Sequence, residues 1–516
     1  MNTPIIIGSR GSDLALWQAN HVKNKLKTLG FEAQIKIIKT QGDRIQDLSF
    51  DKLEGKGFFT KEIEQQLLSK EIDLAVHSHK DLETASPKGL MVAAVPERES
   101  PSELLILRRT SVDQSQKFGI LKNATVGTSS ARRKNQLLAF RPDIKLKDLR
   151  GNVPTRIAKL RQGNYDAIML AKAGVTRLNL DLDDLHVVEL NPAEFIPAPA
   201  QGALALQIRE GDNLLADLLK QLSDVLSLET TQIERKVLNL FEGGCQLPLG
   251  VYAEKEGDQF RLWASHANSW EEMPKRICIS GTKETLAQQA VDLLKKKSSP
   301  KRIFISRDLH KDHFIQRLCS HQGCTLTAVA QIEVEYIKSS FPQADWVFFS
   351  SANSAISYFE QADASGNRKY AAIGEATAEI VNKYRNCDFV GSGFPNEVGK
   401  SFSKQIGSAK VCFPVSSSSK KTVQSYLRQD QVIDVIAYRT KAAGKPIPES
   451  DYYLFTSPSN VDAFLNANEI PDRSKVVAIG PSTRSRLEEL GFNPIQAKRP
   501  SLLAMVEETF NDPSET

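Results

Sequence analysis

The sequence predicts an α/β protein of several domains, and three observations lead to this prediction. The chain has 516 residues, which exceeds the roughly 250–300 at which a single hydrophobic core stops growing. Residues 1–190 alternate between short apolar runs and amphipathic segments of helical length. The C-terminal part contains an internal repeat. Hydrophobic residues make up 41% and charged residues 25% of the chain, a balance typical of folded domains.

The first two units of this alternation predict two lobes. Residues 1–100 begin with the strand IIIGSR and the amphipathic helix LALWQANHVKNKLKTLG, and they end with the helix TKEIEQQLLSKEI and the strand DLAVHS. Residues 101–190 repeat the pattern. The chain passes between the two parts near residues 98–101 and returns through the proline-rich segment 191–201. Two crossings indicate a double hinge, and such hinges commonly flank a cleft.

A smaller third domain follows. Residues 215–297 contain the long helix TTQIERKVLNLF, a Gly-Gly-Cys turn and strands such as FRLWASH. The polar segment KKKSSPK at 295–301 comes after a helix and indicates a linker. We therefore expect a first lobe at 1–99 and 196–215, a second lobe at 100–195, a third domain at 216–297 and a linker at 298–301.

The internal repeat predicts two similar α/β domains in the C-terminal half. WVFFSSANSAISYF matches YYLFTSPSNVDAFL, with Ser351 opposite Ser457. AAIGEATAEIV matches VAIGPSTRSRL, with Gly374 opposite Gly480. Both pairs lie 106 residues apart, so the register is kept across the repeat and places hydroxyl-rich turns between strand and helix. The expected limits of the half are 302–516, divided into 302–335 with 441–516 and 336–440.

Composition excludes several classes of protein. The mean hydropathy is −0.32, and no apolar run approaches the ~20 residues of a membrane span. The N-terminus MNTPIIIGSRGS has no basic segment ahead of a long apolar one, which argues against a secretory signal. Six cysteines form no paired framework and no CxxC motif, which disfavours a disulfide scaffold and structural zinc. We expect a cytoplasmic protein with no membrane partner.

The positive charge is concentrated between residues 125 and 180, a stretch that contains twelve Lys and Arg residues but only three Asp residues. One interpretation is a solvated basic face or a nucleic-acid patch. Against it, the basic residues alternate with strand and turn signals, and few aromatic residues are interleaved for base stacking. Arginines at several loop-to-helix junctions suit a compact ligand with many carboxylates, because each guanidinium can bind one carboxylate through two hydrogen bonds.

Three constellations could carry chemistry. AVHSHKDLE ends a buried strand and contains the Lys80–Asp81 pair. Its HxHxD pattern is similar to a metal box, but the next position is Leu82 and the other histidines offer no partner set, so we expect no metal. EGGCQLPLG places Cys245 after two glycines, although a free cysteine is more often a small buried residue than a nucleophile. SRGSDLALWQ places Arg10 and Ser12 on a turn suited to anions.

Taken together, the motifs carry a resemblance to two families. SRGSDLALWQ, KGFFTKE, VHSHKDLE, GTSSARR, LRGNVPTR, LAKAGVTRL, PAPAQGALA and EGGCQLPLG resemble, in order and spacing, the signatures of hydroxymethylbilane synthase, also called porphobilinogen deaminase, over residues 4–295. Residues 300–516, with FTSPSNV and AIGPSTR, resemble uroporphyrinogen-III synthase. The resemblance implies two periplasmic-binding-protein-like lobes in the first half. His79 and Glu83 depart from the first pattern, and FFSSANS and IGEATAE lack the usual prolines of the second.

The first resemblance implies an enzyme that joins four porphobilinogen units into hydroxymethylbilane and releases ammonia. Cys245 would hold a covalent dipyrromethane cofactor as primer, and Asp81 would stabilise the positive charge that develops on pyrrole nitrogens. Matching motif positions imply further cofactor-binding residues: Ser78, Lys80, Thr128, Ser129, Arg132, Arg133 and Arg150. Substrate binding is implied for Arg10, Ser12, Arg156 and Arg177, with Lys52 and Lys56 on a lid loop.

The second resemblance implies closure of hydroxymethylbilane to uroporphyrinogen III with inversion of the last ring. Tyr438 would act as a general acid, and Ser457 and Thr483 would bind the substrate, although a turn or packing role fits the last two equally well. Three alternatives remain: a deaminase with a degenerate C-terminal half, a non-catalytic anion-binding protein and a metal-dependent hydrolase. We expect small-molecule substrates, no nucleic acid partner and a monomer.

Overall fold

Two units make up the chain, which divides between Lys296 and Lys297. This computed structural model describes residues 4–40, 60–241, 247–296, 299–362 and 367–510. Each unit is built from mixed α/β layers, which confirms the predicted fold class. No helix in the described part of the chain is long and apolar enough to cross a membrane.

The first lobe is a five-stranded sheet with helices packed on it. Its strands are β1 (Ile5–Ser9), β2 (Ala33–Ile37), β3 (Leu74–Ser78), β4 (Leu90–Ala94) and β10 (Leu204–Arg209). The order is β2-β1-β3-β10-β4, in which β1 is parallel to β2 and β3, whereas β10 is antiparallel to β3 and β4. The helices of this lobe are α1 (Asp13–Thr28), α2 (Lys61–Leu68) and α6 (Asn213–Lys220).

Local sequence explains how α1 and α6 form. Ser12 caps α1 by accepting a hydrogen bond from the backbone N–H of Ala15, and Val22 and Leu26 bury its apolar face in the core of the first lobe. In α6, Leu215, Leu218 and Leu219 pack into the same core. The boundary expected after residue 215 therefore lies inside a helix that belongs to the first lobe.

The second lobe repeats the architecture. Its strands are β5 (Glu103–Arg108), β6 (Thr125–Gly127), β7 (Lys145–Lys147), β8 (Ala167–Ala171) and β9 (Leu185–Leu190). Their order is β7-β6-β8-β5-β9, and β5 runs antiparallel to both of its neighbours. The helices are α3 (Ala131–Phe140), α4 (Val153–Arg161) and α5 (Lys172–Arg177).

Two connecting segments pass between the lobes side by side. The backbone N–H of Glu99 donates to the carbonyl oxygen of Gly202 at 3.2 Å. Gly202 has a φ of +87°, and a Cβ there would lie 2.2 Å from the Glu99 carbonyl oxygen, so only glycine fits. Ala200 also has a positive φ, +61°. The two segments of the predicted double hinge are thus in direct contact.

The third domain is a three-stranded antiparallel sheet covered by two helices. Its elements are α7 (Val225–Leu240), β11 (Leu249–Glu256), β12 (Gln259–His266), β13 (Lys275–Gly281) and α8 (Leu286–Lys295). Val237 of α7 and Ala290 of α8 pack on the apolar side of the sheet. This order matches the small α/β domain that the sequence predicts.

A buried ion pair joins the third domain to both connecting segments. Arg98 forms two hydrogen bonds with the carboxylate of Glu234, at 2.8 and 3.0 Å. Glu234 has no exposed side-chain surface, and it also accepts hydrogen bonds from the backbone N–H groups of Ala200 (2.6 Å) and Ala253 (2.9 Å). One carboxylate therefore binds the outgoing segment, the returning segment and strand β11.

The C-terminal unit contains two sheets. The first consists of β14 (Lys301–Ile305), β15 (Cys324–Ala328), β22 (Tyr452–Phe455), β23 (Lys475–Ala478) and β24 (Ile495–Gln496). It is parallel throughout, in the order β15-β14-β22-β23-β24. The helices near it in sequence are α9 (Phe314–His321), α13 (Pro458–Leu465), α14 (Pro481–Glu489) and α15 (Leu502–Phe510).

The second sheet has six strands. They are β16 (Ile332–Tyr336), β17 (Trp346–Phe349), β18 (Lys369–Ala372), β19 (Phe389–Val390), β20 (Val411–Ser416) and β21 (Val432–Ala442), in the order β16-β21-β20-β17-β18-β19. Strand β16 pairs antiparallel with β21, so residues 332–335 and 441–442, which the expected limits assign to the first domain, belong to the second sheet. The accompanying helices are α10 (Ala352–Gln361), α11 (Glu375–Val381) and α12 (Pro395–Ile406).

The structure confirms the internal repeat down to backbone angles. Ser351 has φ −161° and ψ 161°, and Ser457 has φ −166° and ψ 159°; each accepts a hydrogen bond from the N–H three residues later. Gly374 and Gly480 begin α11 and α14 with φ of −169° and −170°. The two sheets therefore carry the same pair of strand-to-helix turns.

Replacing the Glu234 carboxylate by Glu234→Gln should destabilise the N-terminal unit. The substitution leaves the Arg98 charge buried without a counter-charge, and breaking such pairs costs about 3–5 kcal/mol. Urea unfolding of the full chain, followed by tryptophan fluorescence, measures the change, since three of the four tryptophans lie in this unit. The exposed pair Asp217–Lys220 supplies the control, because Asp217→Asn should leave the midpoint almost unchanged. Equal effects of the two variants on the urea midpoint would contradict the stabilising role of the Arg98–Glu234 ion pair.

Candidate active sites

The predicted catalytic carboxylate lies on a short loop at the end of β3. The strand passes into a 3₁₀ turn, His79–Asp81, in which His79 is buried and Asp81 is exposed. Ser78, the last residue of the strand, accepts a hydrogen bond from Nε2 of Gln18 in α1 at 2.9 Å. The turn thus presents Asp81 at the surface, on a base that is fixed to the first lobe.

The two histidines of the same motif belong to the protein interior. His77 Nε2 lies 3.0 Å from Oε1 of Gln207, and burial lowers the pKa of His77 to about 4. Burial, followed by the charge of Arg235, also lowers the pKa of His79. Within the described ranges, no group of three or more His, Cys, Asp or Glu side chains is placed to hold a metal ion.

Lys80 reaches from the first lobe to the connecting segments. Its Nζ donates to Oε1 of Gln201 at 3.3 Å, and Gln201 in turn donates to the carbonyl oxygen of Pro101 at 2.8 Å. Burial lowers the pKa of Lys80, while the charges of Asp81 and Glu103 act in the opposite direction. Lys80 therefore belongs to a group of charges at the hinge.

Arg132 and Arg133, at the start of α3, share one buried carboxylate. Glu103 Oε1 accepts from Nη2 of Arg132 (2.5 Å) and from Nε of Arg133 (3.1 Å), and Oε2 accepts from Nη2 of Arg133 (2.7 Å). Each arginine also donates to a backbone carbonyl oxygen: Arg132 to that of Ile196 at 2.9 Å, and Arg133 to that of Met169 at 3.1 Å. The structure thus gives both predicted cofactor-binding arginines an internal partner that the sequence did not predict.

The charge balance of this cluster is set by Glu103. Burial alone would raise the pKa of its carboxyl, but the charges of Arg133 and Arg132 outweigh burial and lower that pKa to about 2. Glu103 is therefore ionised at neutral pH although it has no exposed surface. It compensates only part of the positive charge of Arg132, Arg133 and Lys80.

The hydroxyl groups of GTSSARR stabilise the turn before α3. Ser130 caps the helix, and Thr128 Oγ1 accepts from the backbone N–H of Ser130 at 3.3 Å. Ser129 Oγ bonds both the carbonyl oxygen and the N–H of Leu149, each at 3.0 Å. These contacts join the GTSS turn to the LRGN loop, which carries Arg150.

Arg156 lies close to Asp81 across the two lobes. Its Nε donates to the carbonyl oxygen of Gly151 at 2.7 Å. Burial, and then the charge of Arg133, lowers the pKa of Arg156 to about 10, while Asp81 opposes this change and Arg150 adds to it. Because charges act on a pKa at short range, Asp81, Arg150 and Arg156 share one electrostatic environment.

Arg177 lies at a second contact between the lobes. Its Nη2 donates to the carbonyl oxygen of Gly202 at 2.6 Å, and its guanidinium lies 5.6 Å from the ring centre of Trp17 in α1. Burial lowers the pKa of Arg177 to about 10. Arg10 and Ser12 precede α1 in the same lobe as Trp17, where Arg10 is half-buried and Ser12 serves as the helix cap.

Three predicted residues lie outside the described part of the chain: Lys52, Lys56 and Cys245. Their predicted roles remain predictions.

In the C-terminal unit, Tyr438 lies beside hydroxyl groups of the first repeat. Its phenol oxygen is 2.9 Å from Oγ of Ser351, the N-cap of α10. Burial raises the pKa of Tyr438, and hydrogen bonds with Ser351 and Ser416 act against that rise. The phenol is therefore protonated at neutral pH. Ser351 is the counterpart of the predicted Ser457, so the structure places the hydroxyl of the other repeat next to the tyrosine.

Ser457 and Thr483 are held by the turns of the second repeat. Ser457 Oγ accepts from Nδ2 (2.9 Å) and from the backbone N–H (3.2 Å) of Asn460. Thr483 is buried in the first turn of α14. Ser457 thus acts as a helix cap in this structure, and Thr483 as a packed residue.

Sequence reasoning missed Glu103, Gln201 and Arg235. Glu103 gives a signal, since it is a charge directly before the apolar run LLIL, and a charge buried there needs a partner. Helix α7 gives a second signal: Ser227, Thr231 and Glu234 lie on its buried side, and buried polar side chains indicate contacts with other segments. Gln201 has no comparable signal within PAPAQG.

Comparison with protein families gives three matches. Residues 5–217 match the family model described as "Porphobilinogen deaminase, dipyromethane cofactor binding domain", and residues 228–292 match "Porphobilinogen deaminase, C-terminal domain". Residues 313–507 match "Uroporphyrinogen-III synthase HemD".

Similar proteins agree with these matches. A porphobilinogen deaminase of Oceanobacillus iheyensis is 42% identical over 293 residues, covering 56% of this chain and 93% of that protein. One from Campylobacter jejuni is 42% identical over 308 residues, covering 57% of this chain and 99% of that protein. Among solved structures, the uroporphyrinogen-III synthetase of Helicobacter pylori is 18% identical, with a TM-score of 0.31, and the match covers 40% of this chain and 98% of that one.

The Glu103 cluster predicts an acid-sensitive contribution to stability. Glu103→Gln should cost about 3–5 kcal/mol at pH 7, because it leaves buried guanidinium groups without their counter-charge. The folded-state pKa, about 2, lies below the ordinary value of 4.5, so the carboxylate stabilises the fold fully above pH 4.5 and loses this effect as pH falls towards 2. Urea unfolding of both proteins between pH 7 and 3.5 should show their difference shrinking below pH 4.5. A difference that grows with acidity would refute this assignment.

Proposed function

Since the chain belongs to the porphobilinogen deaminase family and continues into a uroporphyrinogen-III synthase, we propose that Asp81 is the catalytic carboxylate of the first reaction and Tyr438 the catalytic phenol of the second. The two reactions are consecutive steps of tetrapyrrole biosynthesis. The first joins four porphobilinogen units into hydroxymethylbilane, and the second closes that product to uroporphyrinogen III.

The observation that carries the first assignment is the charge around Asp81. It is an exposed carboxylate whose charge acts on Lys80 of its own loop and on Arg156 of the facing lobe. Its position at the edge of the hinge lets it meet a ligand whose own carboxylates are bound by cations of both lobes.

Asp81 would act on porphobilinogen as follows. The C–N bond of the protonated aminomethyl group breaks, its electron pair leaves with ammonia, and positive charge develops on the pyrrole nitrogen. Asp81 accepts the hydrogen bond from that pyrrole N–H and stabilises the charge. A C–C bond then forms at the methylene carbon, and the attacking pyrrole carbon releases its proton. Water takes the place of the amine in the released product.

The cations around Asp81 fit a ligand with many carboxylates. Lys80, Arg156 and Arg177 donate to the neutral oxygens of Gln201, Gly151 and Gly202, and burial lowers their pKa values, as expected for cations that neighbouring carboxylates do not fully compensate. A carboxylate ligand would supply the missing compensation through charge-assisted hydrogen bonds. We assign substrate binding to Arg10, Ser12, Lys52, Lys56, Arg156 and Arg177.

The same reasoning extends to the cofactor of this family, dipyrromethane. When bound through Cys245, it supplies the pyrrole carbon to which the first substrate unit is joined. The residues that would hold its acetate and propionate groups are Ser78, Lys80, Thr128, Ser129, Arg132, Arg133 and Arg150. Glu103 already binds Arg132 and Arg133. These two arginines would therefore bind the cofactor only through N–H groups that Glu103 does not occupy.

For the second reaction, Tyr438 would donate a proton to the departing hydroxyl of hydroxymethylbilane, so that water leaves before the ring closes. The buried, protonated phenol suits this role, and Ser351 orients it by a hydrogen bond. Ser457 and Thr483 would bind the substrate from the second repeat.

We also propose a monomer that acts in the cytoplasm and needs no nucleic acid. The five described cysteines are free thiols, as expected in a reducing compartment.

Intact mass and turnover together test the first assignment. Asp81→Ala should keep a mass above the sequence mass by one dipyrromethane, because Cys245 remains, and should lose turnover by at least about 10²-fold. Cys245→Ser should have the sequence mass and no turnover. Mass spectrometry of the freshly purified full chain and an assay of ammonia release measure both effects.

These two variants separate the alternatives. An unmodified mass for active wild-type protein would overturn the covalent cofactor, and wild-type turnover in Asp81→Ala would overturn the role of the carboxylate. A non-catalytic anion-binding protein would show neither adduct nor turnover.

The isomer of the product tests the second assignment. Tyr438→Phe removes the phenol oxygen but keeps the ring, so formation of the type III isomer should fall by about 10²-fold. The linear intermediate then closes unaided, and chromatography should show mostly the type I isomer. Tyr358→Phe is the matched control, since its buried phenol accepts a hydrogen bond from Arg368 at 2.6 Å within the same unit. Type III product at the wild-type proportion in Tyr438→Phe would refute the role.

A further inference from the structure

Helix α7 of the third domain binds the loop that carries Asp81. Arg235 Nη1 donates to the carbonyl oxygens of His79 (2.8 Å) and Leu82 (3.3 Å), and Arg235 Nη2 donates to the carbonyl oxygen of Glu83. These three carbonyl groups lie on both sides of Asp81 along the chain. A side chain from a different domain therefore holds the loop before and after the carboxylate.

We infer that Arg235 is a positioning residue for the first reaction: its guanidinium fixes loop 79–83 and thereby the Asp81 carboxylate. The inference rests on the proposed role of Asp81. Arg235 would act through the loop, because its guanidinium donates to the backbone oxygens of His79, Leu82 and Glu83.

The loop has a physical need for this support. A 3₁₀ turn of three residues leaves most of its carbonyl groups without partners inside the turn. On the opposite side, the N–H of His79 donates to the carbonyl oxygen of Ala203 at 3.0 Å, which holds the beginning of the loop only. Arg235 supplies donors for the end of the loop, at Leu82 and Glu83. A planar guanidinium can serve several acceptors in a fixed geometry, whereas a lysine ammonium on a flexible stem cannot.

Arg235 can fix the loop because α7 is itself fixed. The neighbouring Glu234 binds Arg98 and both connecting segments, and Ser227 Oγ in the first turns of α7 accepts from the backbone N–H of Arg98 at 2.8 Å. The helix and the hinge therefore form one rigid reference. Through Arg235, the position of Asp81 is defined relative to that reference rather than to the first lobe alone.

Steady-state kinetics of Arg235→Lys and Arg235→Ala test the inference in the full chain. Displacement of a catalytic group by about 1 Å can cost about 10²-fold in rate. We expect kcat to fall by about 10²-fold in Arg235→Ala and by about 10-fold in Arg235→Lys, which keeps one donor for the loop. KM should stay within about twofold, since the substrate-binding cations are unchanged. Each kcat is divided by the fraction of protein that carries the dipyrromethane mass.

Arg209→Lys is the matched control for a purely structural effect. Arg209 also donates to two backbone carbonyl groups of the first lobe, that of Leu67 in α2 (2.9 Å) and that of Ile72 (2.5 Å), and it forms an ion pair with Asp73 (3.1 Å). Arg209→Lys should lower the midpoint of thermal unfolding by an amount similar to that of Arg235→Lys. It should leave kcat, divided by the fraction of protein that carries the adduct, unchanged. Equal kcat losses in the Arg209 and Arg235 variants would overturn the inference, as would a loss confined to KM or to the adduct fraction.

The same measurements keep this inference apart from the proposed function. If wild-type protein lacks the adduct or turnover, both fail. If the wild type is active and Asp81→Ala is inactive, but both Arg235 variants keep the wild-type kcat per adduct, only the positioning role fails.

Discussion

Glu234 has no exposed side-chain surface, and Arg98, Ala200 and Ala253 supply the hydrogen-bond donors for its carboxylate. An unpaired carboxylate there would be strongly unfavourable, so the four groups must come together for the unit to fold. Their assembly sets the positions of both connecting segments and of strand β11. Helix α7 then fixes the Asp81 loop through the adjacent Arg235. The location of Asp81, the proposed catalytic carboxylate, thus depends on a contact made elsewhere in the N-terminal unit.

The basic residues of the N-terminal unit have two kinds of hydrogen-bond partner. Arg132 and Arg133 donate to the ionised carboxylate of Glu103, which compensates part of their charge, whereas Lys80, Arg156 and Arg177 donate to neutral oxygens of Gln201, Gly151 and Gly202. The contacts with Glu103 support the fold, and cations that donate to neutral oxygens favour an anionic ligand. The arginines of a sequence do not by themselves distinguish these two roles. The difference depends here on Glu103, which begins β5 and lies about 30 residues before the arginines that it binds.

Features that depend on local sequence could be predicted, and features that depend on distant contacts could not. The Asp81 loop and the Ser351 and Ser457 turns each have a signal within a dozen residues, and the repeat and the two lobes appear as patterns of such short segments along the chain. The domain limit near residue 215 had no such signal, because the leucine face of α6 suits either neighbouring core and only the contacts with β4 and β10 decide. The Glu103 and Arg235 contacts join residues far apart in the sequence, and the proximity of Tyr438 to Ser351 rather than Ser457 depends on how β21 pairs with β20.

The paired connecting segments at Glu99 and Gly202 restrict how the two lobes can move. A single connecting segment would permit twisting as well as bending, since every backbone bond along it could rotate independently. Two segments that are joined by a hydrogen bond, with a close approach that admits only glycine at residue 202, should resist twisting more than bending. The third domain contacts both segments through Glu234 and so fixes their spacing. A growing chain of pyrroles would therefore be accommodated by a change in opening angle, while the alignment of the two cleft walls along the hinge axis is preserved.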